Sequence, residues 1–289
     1  MRDMSSDHRW MSLNTATVRK QGALLDIIEA CARHGIRAID PWRDQVAATG
    51  IDRAAKAIRD AGLALSGYCR GGMFTADAAR RIEARDDNRR AVDEAKTLGA
   101  PCLVLVAGGL PQFSRPGSAP SKDIAAAHAQ VEDGIAELFE YARTAGMALA
   151  IEPLHPMTAA ERACVNTMRH ALDVCDRIDP ARSGMLGVAV DVYHVWWDPA
   201  LEAEIARAGR AGRIYAFHVC DWLVPTTDLL LDRGMMGDGV IDLPRIRGWV
   251  EAAGYKGAVE VEIFSAANWW KRDPDEVLAV CRARHRECT

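Results

Sequence analysis

The chain has 289 residues, 49% of them apolar and 26% charged, the proportions of an ordinary soluble globular protein. A net charge of −4 and a pI near 6.1 argue against a nucleic-acid surface, which needs a basic face. No uncharged apolar run approaches the roughly 20 residues that span a bilayer, so neither nucleic acid nor membrane is an expected partner.

The amino terminus shows no apolar stretch like that of a signal peptide, and a cytoplasmic location is expected. Eight cysteines stand at positions 31, 69, 102, 164, 175, 220, 281 and 288. None forms a Cys-x-x-Cys pair, and they read as reduced packing residues.

Along the chain one phrase repeats: an amphipathic helical stretch, a glycine, then a short apolar run. After an opening strand at 10–14, a helix over 24–34 gives way at Gly35 to a strand at 36–40. A helix over 51–61 stops at Gly62 before a strand at 63–66. Cys69-Arg70-Gly71-Gly72 then reads as the loop after that third strand. It lacks the Gly-x-x-x-x-Gly-Lys-Ser/Thr pattern of a phosphate loop, but it can turn Arg70 toward a substrate. The helix over 77–98 ends at Gly99 before a strand at 102–106. The phrase returns at Gly146, at Gly184 or Gly187, at Gly212 and at Gly254, because glycine suits the left-handed position that ends a helix.

Eight strands alternating with helices predict a parallel sheet with helical crossovers. In a chain of this length that alternation is an α/β fold of (β/α)₈ type, one domain over residues 1–289. The longest irregular stretches, 107–119, 153–166, 220–240 and 265–274, follow strand ends, where such a barrel builds its active face. Trp42, Trp196, Trp197, Trp222, Trp269 and Trp270 also lie just past strand ends. They either shield a site and stack on a sugar ring or cover a subunit interface.

The last four strands carry the chemistry. Ala148-Leu-Ala-Ile-Glu152, Gly187-Val-Ala-Val-Asp191, Ile214-Tyr-Ala-Phe-His218 and Ala258-Val-Glu-Val-Glu262 each close on a group that can bind a metal ion. Each alone could be a hydrogen-bonded carboxylate or a packed histidine. Together, three carboxylates and an imidazole at neighbouring strand ends repel one another unless a divalent cation joins them. Oxygen-rich ligation favours Mn²⁺, with Mg²⁺ or Co²⁺ as alternatives. Glu260 shares the inward parity of Glu262 one layer deeper and is placed to pair with a basic group. Arg43 reads as a structural ion-pair partner at the rim.

Several motifs in this order resemble the sugar phosphate isomerase/epimerase family, the xylose-isomerase-like TIM barrels that include ketose 3-epimerases and inositol-pathway enzymes. They are Ile151-Glu152-Pro153, Asp191-Val-Tyr-His194, His218-Val-Cys-Asp221, Gly237-Asp-Gly-Val-Ile-Asp242, Gly254-Tyr-Lys-Gly257 and Val261-Glu262-Ile-Phe264. The resemblance implies that Glu152, Asp191, His218 and Glu262 ligate one divalent metal. It also implies that Glu152 and Glu262 are the catalytic acid and base on either face of an enediolate formed from a carbohydrate substrate. Arg233 resembles an arginine that meets substrate in this family, and a solvated loop arginine is the alternative. His194, Asp221 and His155 are further candidates for substrate contact, against loop, hydrogen-bonding and turn-closing roles. A homodimer or homotetramer is expected from the same resemblance. The leading expectation is a metal-dependent epimerase or isomerase of a ketose or keto-sugar. A lyase, dehydratase or deglycosidase acting through the same metal site is the alternative. A sugar-binding barrel without catalysis and a nuclease of the endonuclease-IV type rank lower.

Overall fold

The computed structural model describes residues 2–3, 8–77, 80–110 and 121–289. The first half runs β1 (Met11–Asn14), α1 (Leu24–Arg33), β2 (Ala38–Asp40), α2 (Arg43–Thr49), α3 (Ile51–Asp60), β3 (Ala64–Leu65), β4 (Tyr68–Gly72), α4 (Arg81–Leu98) and β5 (Cys102–Val106). The second half runs α5 (Ile124–Ala145), β6 (Ala148–Glu152), α6 (Met168–Ile178), β7 (Leu186–Asp191), the single turn α7 (Val192–Val195) and α8 (Leu201–Arg210). It closes with β8 (Ile214–Val219), the short β9 (Asp221–Trp222) and β10 (Arg233–Gly234), α9 (Leu243–Ala252), β11 (Val259–Val261) and α10 (Pro274–Glu287).

Nine strands hydrogen-bond in the order β3-β2-β1-β11-β8-β7-β6-β5-β4, every neighbouring pair parallel. The two outermost strands, β3 and β4, are consecutive in the chain, so the sheet curls into a nearly closed barrel of the expected (β/α)₈ type. The predicted third strand is the short β3, and a break at Ser66-Gly67 separates it from β4. Cys69–Gly72, expected as a loop, is strand β4 and pairs with β5. Its two glycines hide the strand from any propensity reading. Tertiary contacts impose it: the Cys69 amide donates to Asp40 Oδ1 at 2.9 Å, and Asn88 clasps Gly72 through both its amide hydrogen and its carbonyl. The two-stranded antiparallel pair β9 and β10 sits apart from the barrel sheet.

Side chains alternate across the barrel wall with the period of two that a strand imposes. On β5, Leu103 and Leu105 join the large apolar cluster between strands and helices, while Cys102 and Val104 face a small inner cluster with Cys69, Ala150, Ala189 and Ala216. A barrel this narrow leaves room inside for little more than alanine. The helices close the outer layer in the ordinary way. In α3 the apolar stripe Ala54, Ala55 and Ile58 is buried. In α10 the Asp273 carboxylate accepts two amide hydrogens of the first turn and Pro274 opens it. Gly99 ends α4 in the left-handed conformation, φ +80°, as the glycine rhythm predicts. All eight cysteines are free thiols, seven of them buried. Among the described residues no helix is long and apolar enough to cross a membrane.

Candidate metal centre

Parity alone brings the four candidate ligands together. Ala150, Ala189 and Ala216 line the barrel interior, and two residues beyond each stands Glu152, Asp191 or His218, facing the same way. On β11, Val259 and Val261 join the outer cluster, which turns Glu260 and Glu262 inward. Register then levels them: Asp191 lies beside His218 and His218 beside Glu260. One ligand atom from each of Glu152, Asp191, His218 and Glu262 falls within 4.8 Å of all the others, and all four residues are buried.

His218 organises this cluster. Its Nδ1 lies 3.0 Å from Glu152 Oε1 and 3.8 Å from Glu262 Oε2. Its Nε2 points the other way, 3.5 Å from Glu260 Oε1. Glu260 thus gains the basic neighbour its parity suggested, and its carboxylate also accepts from Asn14 at 2.9 Å and Ser66 at 2.7 Å. Asp40, His218 and Glu260 form a second group close enough to share an ion, but here both carboxylates are engaged by other donors, Asp40 by Cys69. The imidazole therefore works as a hinge between an open cluster and a satisfied one beneath it.

Arg233 reaches the open cluster from β10. The β9–β10 pair and a 2.9 Å bond from its own amide to the Phe264 carbonyl hold its backbone. Its guanidinium lies over Tyr193 and Phe264, at 4.4 and 4.9 Å, and donates to Asp191 Oδ2 at 2.9 Å and Glu262 Oε2 at 3.1 Å. His194 Nε2 is 3.1 Å from the same guanidinium, and its Nδ1 accepts the His155 amide at 3.1 Å. These two expected contact residues, Arg233 and His194, stand at the cluster.

The remaining candidates part company. His155 meets the site through its backbone only. Its ring stacks on Trp222 at 4.7 Å, and its Nδ1 accepts the Met157 amide to close a turn. Asp221 takes the hydrogen-bonding role that the sequence left open. Its carboxylate accepts four backbone amides, from Trp222, Gly237, Gly239 and Ile241, at 2.8–3.0 Å. Those oxygens are spent on folding the 220–241 loop and have no capacity left for a substrate. Arg70 lies on β4 and lines the cavity above the cluster, with Trp42, Arg162 and Phe264 beside it. Arg162 is absent from the sequence reading, since an arginine in the middle of a long loop carries no signal of its own. Arg43, by contrast, is the expected structural partner, paired with Asp87 and Glu94. The rim tryptophans separate too. Trp42 packs edge-on against Phe264 at 5.3 Å as part of the cavity wall, while Trp269 is buried.

Electrostatics sharpen the picture. Burial pushes the Glu262 carboxyl up to about 8, against the pull of Arg233 and His218. Burial opposes the charged form of His218, yet Glu260, Glu152 and Glu262 outweigh it and hold the imidazole well above its ordinary value. For Asp191, Arg233 and the two histidines overcome burial and draw the carboxyl down. Burial drives His194 down to about 4, so its ring is neutral. Three carboxylates crowd together in a buried place, and a divalent cation would let all three ionise beside a neutral imidazole. Three oxygen donors and one imidazole nitrogen, all within one ion's reach, fit such a cation. Glu152, Asp191, His218 and Glu262 would hold it.

Comparison with known proteins places this geometry. The profile of the family described as xylose isomerase-like TIM barrel matches residues 28–281. The solved structure of a protein from Sinorhizobium meliloti 1021 is 58% identical, with a TM-score of 0.92 over 98% of this chain and 99% of that one. IolI, solved with a bound zinc atom, has a TM-score of 0.80 at 19% identity, over 96% and 97% of the two chains. D-allulose 3-epimerase from Methylomonas sp. has a TM-score of 0.74 at 16% identity, over 96% and 97%. At those lower identities the likeness is one of fold. No curated protein sequence matches the chain.

Proposed function

The chain belongs to the xylose isomerase-like TIM barrel family, and on that premise we propose that it is a divalent-metal-dependent epimerase or isomerase of a ketose or keto-sugar. The observation that carries this reading is the convergence of Glu152, Asp191, His218 and Glu262 within 4.8 Å at one end of the barrel. Two of these groups are glutamates on separate strands, the arrangement that moves a proton onto and off a carbon between them. Two proteins of the same fold point the same way, one solved with zinc and one named as a D-allulose 3-epimerase.

A cation bound there would supply Lewis acidity to a substrate carbonyl, easing loss of the proton on the next carbon. Glu152 is the base: one carboxylate oxygen takes that proton, and the electron pair of the C–H bond moves onto the carbonyl oxygen. Arg233 and the His194 ring, which stand beside the cluster, would stabilise the developing charge. Glu262, which burial holds up to about 8, returns a proton from the opposite face. Return to the same carbon inverts it and gives an epimer; return to the former carbonyl carbon, with the hydroxyl proton of the deprotonated carbon passing to the former carbonyl oxygen, gives an isomer. Trp42 and Phe264 line the cavity and narrow the access of bulk water to it.

Incubating Mn²⁺-loaded protein with a broad panel of ketoses and 3-keto-glycosides in D₂O tests the reading. Deuterium is expected at a carbon next to the carbonyl, with an epimer or isomer in the product mixture. Release of an unsaturated sugar instead would assign a lyase, and no exchange at any such carbon across the panel would refute proton transfer altogether.

A further inference from the structure

The carboxylates and His218 occupy one side of the cavity; the other side is cationic. Arg70, from β4, and Arg162, from the loop after β6, line it together with Glu152 and Glu262. The same two arginines also line a wider vestibule that opens outward past Trp42 and Phe264. They therefore stand between the reacting end of the site and solvent.

Both are unlike the other arginines of this face. Arg19 pairs with Asp44, Arg43 with Asp87 and Glu94, and Arg233 with Asp191 and Glu262. Among the described residues, neither Arg70 nor Arg162 meets a carboxylate within ion-pair distance, and the Nε of each is buried without a hydrogen-bond partner. Burial and the charge of Arg162 disfavour the cationic form of Arg70, and burial and the charge of Arg233 do the same for Arg162. Guanidiniums remain charged under such pressure, so the fold holds two like charges near each other that feel Glu152 and Glu262 across the cavity but bond to neither. That arrangement costs stability and is characteristic of a site awaiting an anion.

The placement is built rather than incidental. The loop carrying Arg162 is stitched to the loop after β5: Cys164 donates to the Gly108 carbonyl at 2.9 Å and Leu110 to the Ala160 carbonyl at 2.8 Å. Gly109 makes that approach possible, because a Cβ there would stand 2.4 Å from the Ala160 oxygen. Arg70 is set by the pairing of β4 with β5. The charge balance also sets the sign of the missing group. Arg233 and a divalent cation would match the three carboxylates of the cluster, and Glu260 and Asp40 beneath are engaged by Asn14, Ser66 and Cys69, so Arg70 and Arg162 stand at the entrance without a bonded carboxylate.

We infer that Arg70 and Arg162 bind an oxyanion on the substrate, a phosphate ester or a carboxylate, at the end of the sugar remote from the carbonyl held between Glu152 and Glu262. This rests on the sugar-transforming reading above and narrows its substrate from ketoses in general to anionic ones. Guanidinium forks match both oxyanions through paired N–H donors. A neutral ketose would leave both arginines as unpaired as they are in the free protein.

The test is calorimetric titration of the Mn²⁺-loaded full chain with a matched panel: parent ketoses, their phosphate esters and the corresponding keto-acids. One charged class is expected to bind at least about tenfold more tightly than its neutral parents, with the advantage shrinking as salt is raised. Whichever class does so identifies the oxyanion. Arg162→Gln is expected to abolish the preference and Arg162→Lys to keep most of it. Arg162 sits in a loop, so neither change removes core packing, and Arg70→Met provides an independent check from the strand side. Equal affinity for charged and neutral ligands overturns the inference, as does a preference that survives in both Arg162→Gln and Arg70→Met. Deuterium exchange in the same samples separates this failure from failure of the underlying reading. Exchange into ketoses with no preference for the charged ones sinks the arginine pair alone. Salt-sensitive anion binding that needs both arginines, without exchange at any carbon, upholds the pair and sinks the proton transfer.

Discussion

Two buried basic side chains, Arg213 just before strand β8 and His218 near its close, behave differently. Arg213 is almost wholly buried, donating to the carbonyls of Leu186 and Asp179 at 2.8 and 2.6 Å. The Asp176 and Asp179 carboxylates lie within 3.4 and 3.6 Å of it, and Asp179 is itself bound by the amide and hydroxyl of Ser183. Near the strand's close His218 is equally buried, but Glu152, Glu262 and Glu260 crowd it, with Arg233 paired to Glu262. Burial of charge therefore does not mark a site in this protein. An excess of one sign does, and it lies at the carboxyl ends of the strands, where a barrel of this type places its chemistry.

That contrast can be broken most decisively at the unbalanced end. Glu152→Gln or Glu262→Gln should lower turnover by on the order of 10²–10⁴-fold, the usual worth of a positioned acid or base. Thermal stability of the metal-free variants should hold or rise, because each change removes one of several repelling carboxylates. A variant that loses its melting temperature in parallel with its activity would make these glutamates structural, like the Arg213 cluster. At the balanced end the expectation reverses. Arg213→Met should cost about 3 kcal/mol by stranding buried partners, measured by urea unfolding, while Mn²⁺ affinity of the folded fraction stays unchanged. A shift in metal affinity would mean that the two ends of β8 are coupled.

The smallest effect is a pH slope in metal-free protein. Glu262 is held up to about 8 and His218 above its ordinary value. Folded protein therefore keeps protons that the unfolded chain releases at about 4.3 for glutamate and about 6.5 for histidine. Groups raised in this way lend stability at low pH that is lost as pH rises. His194 and His285, pushed down to about 4 and about 3, act in the opposite sense, but their contribution is complete above about pH 6.5. Between pH 6.5 and 8 the melting temperature of metal-free protein should therefore fall. With saturating Mn²⁺, whose binding requires the ionised carboxylate and the neutral imidazole, it should stay level or rise. A metal-free melting temperature that climbs over this range would contradict the crowding at His218.

Much of the centre was legible because strands write their facing into the sequence. Ala150, Ala189 and Ala216 sit two residues before Glu152, Asp191 and His218, so a small inward residue is followed on the same face by a ligand. Glu260 and Glu262 repeat that parity on β11. Legibility failed where local composition and tertiary role disagreed. Cys69–Gly72 reads as a turn, and only the Asp40 and Asn88 side chains, distant in sequence, draw it into a strand. Asp221 reads as a companion of His218 by spacing, yet four loop amides claim its oxygens. Nothing near Arg162 in the chain announces it, because its importance comes from Arg70 and Glu152 across the cavity.

The amino-acid order alone determined the alternating barrel, the end of it that carries chemistry and the identity of the four candidate ligands, since each follows from periodicity within a single segment. Only the folded chain decided which neighbours each charge meets. That settled Arg233 onto Asp191 and Glu262, spent the Asp221 carboxylate on loop amides and left Arg70 and Arg162 without an ion-pair partner among the described residues. The physical reason is that facing is a local property of a strand, whereas charge balance is a sum over groups that sequence separates by a hundred residues and packing brings within a few ångströms.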